Sequence, residues 1–223
     1  MGLDWIPMGK PKPGFEDRFK QIFRILQGEE KQEVGFFDRL KGKKKESRES
    51  LLEEWLDNSI VSYETIKAPR VGRDKVADEW IKGKYKDSDK SISEEEFIKK
   101  AEGYYAIELA EELDGVPVYI AMHHAENVFR AQFLEDCKEL IGEDLLLEAW
   151  GTKFADEALS YGEKLMSIAD KAATDNGLLY LKEQRLPPDV DEETLESKIH
   201  ILYAGAKWLI FYGRNGHGYE ADF

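Results

Sequence analysis

From Leu147 onward the chain repeats apolar or small residues at alternating spacings of four and three, and this pattern limits the fold more than any other feature. Leu147, Gly151, Phe154, Ala158, Tyr161, Leu165, Ile168 and Ala172 form one unbroken stripe. Ala155, Leu159, Gly162, Met166, Ala169 and Ala173 form a second stripe beside it. Two adjacent stripes on one helix make a wide apolar face, so the pattern predicts a long helix over 144–175 lying centrally in a bundle. Gly151 and Gly162 would let a neighbouring helix come close, at some cost in helix propensity. Leu195, Ile199, Leu202, Ala206 and Leu209 repeat in the same way, widened by Trp208 and Phe211, and predict a last helix.

Shorter signals fill in the rest. Phe19, Ile22, Phe23 and Leu26 recur at helical spacing before Gly28, and Ser93 with Glu96 is a capping box. Ala125, Phe129, Phe133, Cys137 and Ile141 predict an amphipathic helix from about 124 to 141, closed by Gly142. Asp114-Gly115 is a turn signal ahead of the β-rich run Val116–Met122, so a small β element is expected near 104–122, with a second at 60–66. Residues 104–113 read equally as helix or strand. The expected fold is mainly α, α+β overall, as a single globular domain over 1–223. It would carry an extended N-terminal arm (1–14, with three Pro and three Gly), a mobile basic loop (40–50, with Lys-Gly-Lys-Lys-Lys at 41–45) and a Gly-rich C-terminal tail (213–223).

Charge narrows the function classes. The net charge is −14, and it is unevenly placed. Residues 1–100 hold 22 Lys+Arg and 21 Asp+Glu, whereas residues 101–223 hold 10 Lys+Arg and 25 Asp+Glu. An acidic second half repels phosphate backbones, which disfavours generic nucleic-acid binding. No run approaches the roughly 20 apolar residues of a membrane span. The first residues carry an acid and no apolar h-region, so no signal peptide is read there, and the single cysteine, Cys137, cannot form an internal disulfide. A cytoplasmic location is expected.

Candidate chemistry is sparse. Catalytic signatures such as GxSxG, Walker A, GxGxxG, HExxH and CxxC are missing, as are paired ExxH motifs, so neither a metal nor a cofactor is expected. The four histidines are His123, His124, His200 and His217. On a helix beginning at 124, Glu126 would lie within about 20° of Phe133 and Cys137, a carboxylate on an apolar face. Arg130, four residues on, is its natural partner, and that structural role weighs against catalysis. The catalytic alternative gathers His123, Glu126 and Arg130 at a strand-to-helix junction. Arg70, Gly72 and Arg73 precede a helix start and form a candidate anion site. His200 reads as a partly exposed side chain, Cys137 as a small buried hydrophobe, and Arg214 and His217 as parts of a flexible tail.

These readings favour a non-enzymatic interaction or regulatory protein that sets its acidic helical half against a basic protein partner. A small enzyme or metal-dependent hydrolase around His123, Glu126 and Arg130 is the alternative, followed by an anion or nucleotide binder through Arg70, Gly72 and Arg73. Homo-oligomerisation is left open.

Overall fold

A computed structural model of the chain describes residues 2–32, 45–110, 119–121, 124–126, 128–191 and 193–223, with side chains left out at 119–121 and 124–126. The chain divides into two compact units, Gly9–Val61 and the combination of Met1–Met8 with Ser62–Phe223. Among the described residues the fold is mainly helical, with three two-stranded ladders. No helix among them is long and apolar enough to cross a membrane.

The unit Gly9–Val61 is a helix pair. Helix α1 (Glu16–Gln27) ends at Gly28, whose left-handed φ of 81° lets its N–H return to the last turn. Helix α2 (Arg48–Asp57) starts at Ser47, whose hydroxyl accepts from the Ser50 N–H. Phe19, Ile22, Phe23, Leu51 and Trp55 are buried, with Phe19 stacked on Trp55 at 4.8 Å. Arg18 clamps Glu54 with two hydrogen bonds of 3.0 and 2.6 Å. Strands β2 (Lys10–Pro11) and β3 (Ser59–Ile60) pair antiparallel. Residues 40–44 of the predicted mobile loop lie outside the described residues, and residues 48–50 already belong to α2. The strand expected at 60–66 is reduced to β3, and a short helix α3 (Ser62–Thr65) follows.

In the larger unit, α4 (Lys75–Asp87) and α5 (Glu94–Ala101) bury Val71, Ala77, Ile81 and Ala106 between them and their flanking loops. Ser93 caps α5 as predicted, accepting from the Glu96 N–H. Residues 104–110 hold one bridge, Arg70 to Tyr105, and a single 3₁₀ turn over Ile107–Leu109. Of the predicted strand, Tyr119–Ala121 forms β4 and pairs with β5 (His124–Glu126); residues 116–118 and 122 lie outside the described residues.

The predicted long helix begins later than the apolar spacing suggests. Helix α6 (Lys138–Glu148) is kinked at Gly142 (φ 79°, ψ 167°), and a break over 149–154 separates it from α7 (Ala155–Asn176). Helix α8 (Leu195–Arg214) lies antiparallel to α7. Small residues set their separation. A Cβ at Gly162 would lie 2.7 Å from Leu209 Cβ, and one at Gly213 would lie 2.8 Å from Leu159 Cβ and 2.9 Å from the Ala155 carbonyl. Ala158, Tyr161, Leu165, Ala169 and Ala173 on α7 face Ile199, Leu202, Ala206, Leu209 and Tyr212 in one core. Each fully buried Leu or Ile in it contributes about 1.5–3 kcal/mol.

The two ends of the chain close that core. Strand β1 (Asp4–Pro7) pairs antiparallel with β6 (Tyr219–Asp222), in a register that sets Trp5 opposite Ala221. The outward edge of β1 reaches Phe129: the Trp5 N–H donates to the Phe129 carbonyl at 2.9 Å, and the Phe129 N–H returns to Trp5 at 3.2 Å. The outward edge of β6 exchanges the same two bonds between Tyr219 and Lys153, at 2.8 and 3.1 Å. Trp5 is fully buried, lies within 5.1 Å of the rings of Phe129 and Tyr219, and donates its indole N–H to the Ala149 carbonyl.

This ladder corrects the helix expected over 124–141. His124–Glu126 is strand, and Ala131–Glu135 is only a 3₁₀ turn. Phe129 gives both of its backbone bonds to Trp5, and the Gln132 N–H goes to the Leu3 carbonyl, so neither joins a helical ladder. The same competition at Lys153 interrupts the predicted 144–175 helix over 149–154. The terminal segment is likewise no loose tail. His217 is fully buried: its Nδ1–H donates to the Met8 carbonyl at 2.9 Å, and Nε2 meets the Thr65 hydroxyl at 2.8 Å.

Candidate functional site

The predicted constellation is only partly placed. His123 lies outside the described residues, and Glu126 is described by its backbone alone, in β5 opposite Tyr119. Because His124–Glu126 is strand and Ala131–Glu135 a 3₁₀ turn, the helical wheel that set Glu126 on an apolar face does not apply. Arg130 forms its ion pair with Asp4 at the start of β1. Among the described residues, no group of three or more His, Cys, Asp or Glu side chains converges as a metal site.

The loop before α4 consumes its own donors. The Arg70 N–H donates to Asp74 Oδ2 and the Gly72 N–H to Asp78 Oδ1, both at 2.8 Å. Two N–H groups of the loop that could have met an anion are thus taken by carboxylates of the chain itself. Arg70 Nε donates to the Gly103 carbonyl, and its guanidinium lies 5.3 Å above the Tyr105 ring. Arg70 and Arg73 border an open cleft, but Glu64 and Asp74 share it. The charge there is mixed.

Cys137 is fully buried, and burial pushes its thiol up to about 12. It remains a neutral thiol, with Sγ 3.4 Å from the Lys198 carbonyl, as expected of a core residue.

A different site emerges where the segment after β5 meets α8. A cleft of about 380 Å³ is walled by Val128, Phe129, Phe133, Ile201 and Ala204, and residues 184–187 close its far side. Phe129 is held there by its bonds to Trp5, and its ring lies so close to Gly205 that a Cβ at that position would be 3.0 Å from it. At the rim, Phe133 is 48 % and Leu186 74 % exposed. Pro187 lacks a backbone N–H, so the segment after the 3₁₀ turn Leu179–Lys182 does not continue as a helix.

Its polar groups come from three elements. His200, expected to be partly exposed, is only 8 % exposed. Burial holds its pKa below the usual imidazole value and Lys207 lowers it further, while a hydrogen bond to the Gln184 backbone works the other way. The side chain is therefore a neutral imidazole at pH 7. Lys207 donates to the Lys182 carbonyl. Tyr203 donates to Asp170 at 3.0 Å, and Asp170 also holds Lys182 at 2.8 Å. Two side chains named from sequence, Arg130 and His200, thus share one cleft. Arg185, Leu186 and Lys207 carried no sequence signal for it; the only cue was an exposed Leu beside Pro187-Pro188.

Ser, Thr, Cys, Asp and Glu are absent from the described lining, so His200 has neither a nucleophile to activate nor a carboxylate to orient it there. The arrangement can bind an apolar body and place a polar end, the usual design of a small-ligand pocket. Compared with protein-family models, with curated proteins and with solved structures, the chain matches none.

Proposed function

We propose that this chain is a non-enzymatic binding protein whose working surface is the cleft between Phe129, Phe133, residues 184–187 and the Ile201 face of α8. One observation carries the reading: a mostly apolar cleft of about 380 Å³ opens to solvent beside exposed Phe133 and Leu186. Ligand pockets span about 300–1,000 Å³ with mostly apolar walls, and this cleft falls at the small end of that range. The acidic second half has less to offer as a docking face, because lysines neutralise part of it: Lys164 bonds Glu148, Lys171 bonds Asp175, and Lys182 bonds Asp170.

Nile red, an uncharged dye that brightens in apolar surroundings, tests the proposal directly. The wild-type protein is expected to bind it saturably. Ala204→Trp, which fills the cleft, should abolish binding, and Leu186→Ser, at an exposed rim position, should weaken it without altering the circular-dichroism spectrum. Unchanged dye binding in both variants would overturn the reading.

A further inference from the structure

Residues 101–223 contain 25 Asp+Glu and only 10 Lys+Arg. Three of those ten cations, Arg130, Arg185 and Lys207, line this one cleft, and none of the acids is among its described lining. Arg130 is matched by Asp4 outside the lining. Lys207 is held by a carbonyl, which orients the ammonium without cancelling its charge and leaves further N–H donors. The neighbouring Lys182 is balanced by Asp170, so the positive end of the cleft is localised at Lys207 rather than spread along the surface. His200, on the same face of α8, is neutral and adds no charge. Apolar walls lower the local dielectric, which makes one cation count for more than it would in water.

We infer that the ligand is a small amphipathic monoanion, with a carboxylate directed to Lys207 and an apolar body against Phe129, Phe133 and Ile201. The inference rests on the cleft being the binding surface proposed above. A single accessible charge and a volume of about 380 Å³ favour a short-chain or aromatic monocarboxylate over a polyanion or a long lipid.

Displacement of Nile red by four probes of matched length tests it: octanoate, 1-octanol, octylammonium and octyl phosphate. Octanoate should displace the dye at about ten-fold lower concentration than 1-octanol, the ratio one charge-assisted hydrogen bond supplies. Octylammonium should be weaker than 1-octanol, and octyl phosphate no better than octanoate. Lys207→Gln should remove the preference, so that octanoate and 1-octanol displace the dye at similar concentrations. If 1-octanol displaces the dye but octanoate is no better, the monoanion inference fails while the cleft survives. If octyl phosphate is clearly the tightest probe, the carboxylate head is wrong. If none of the probes displaces dye from wild type, the binding reading itself is lost.

Discussion

In the α7–α8 pair, backbone hydrogen bonds stay within each helix, and the two helices meet through side chains and through the bare backbone at Gly162 and Gly213. In residues 128–154 the backbone is shared: Phe129 and Lys153 give their N–H and carbonyl groups to Trp5 and Tyr219, from opposite ends of the chain. Both regions carry apolar residues every three or four positions and bury most of them, Phe133 and Leu147 being exceptions. The contrast shows that the spacing of apolar side chains decides which residues go inside, while the availability of backbone partners decides which secondary structure takes them there. A strand that supplies both a donor and an acceptor removes a residue from a helical ladder at no loss of hydrogen bonds.

The sharpest way to break this comparison is Trp5→Ala. It removes the indole that anchors β1 among Phe129, Tyr161, Trp208 and Tyr219, at an expected cost of about 4 kcal/mol. Urea denaturation measures the loss, and hydrogen exchange locates it: the Phe129 and Lys153 amides should lose protection before those of α7 and α8. If α7 loses protection first, the terminal strands are not what holds 128–154. Next in size is Gly213→Ala, which places a Cβ 2.9 Å from the backbone of α7 and should cost about 2 kcal/mol through overpacking. Gly151→Ala is its internal control. Its Cβ meets only the Glu148 carbonyl, at 3.7 Å, and the thermal midpoint should barely move.

A smaller effect sharpens the account of the helix pair alone. Thr194 caps α8 by accepting from the Ser197 N–H, and Thr194→Ala should cost about 1 kcal/mol without altering exchange at Phe129. The smallest concerns pH. The pKa of His200 is lowered in the folded state, so the unfolded chain binds the extra proton first. The resulting stability is present above the unfolded value of 6.5 and is lost as pH falls through the lowered folded value. Wild type should therefore lose thermal stability on acidification more steeply than His200→Gln, and parallel curves for the two proteins would show that His200 is not desolvated.

The sequence carries the helix pair openly. The stripes of α7 and α8, the glycine closure of α1 and the Ser93 cap are all present as spacing or as a local donor–acceptor match, and they fold as they read. What it hides is long-range. Nothing local to Phe129 or Lys153 marks them as ladder partners of Trp5 and Tyr219, more than sixty residues from one another or at far greater separation. The same blindness covers the site. Arg130 and His200 are visible as candidates, but the ion pair of Arg130 with Asp4, 126 positions away, has no local signal. The cleft exists because Phe129 is pinned by the N-terminal strand against Gly205, which side-chain periodicity does not encode.

That pinning has a consequence for the order of assembly. Trp5 enters its final surroundings only when Tyr219 is available, so the first strand of the chain must wait for the last. Closing so long a loop is entropically slow, and until it closes an indole and its aromatic neighbours remain unsheltered. Until the two strands pair, Phe129 lacks the backbone partner that holds it against Gly205, so the Phe129 wall of the cleft is among the last parts of the fold to set.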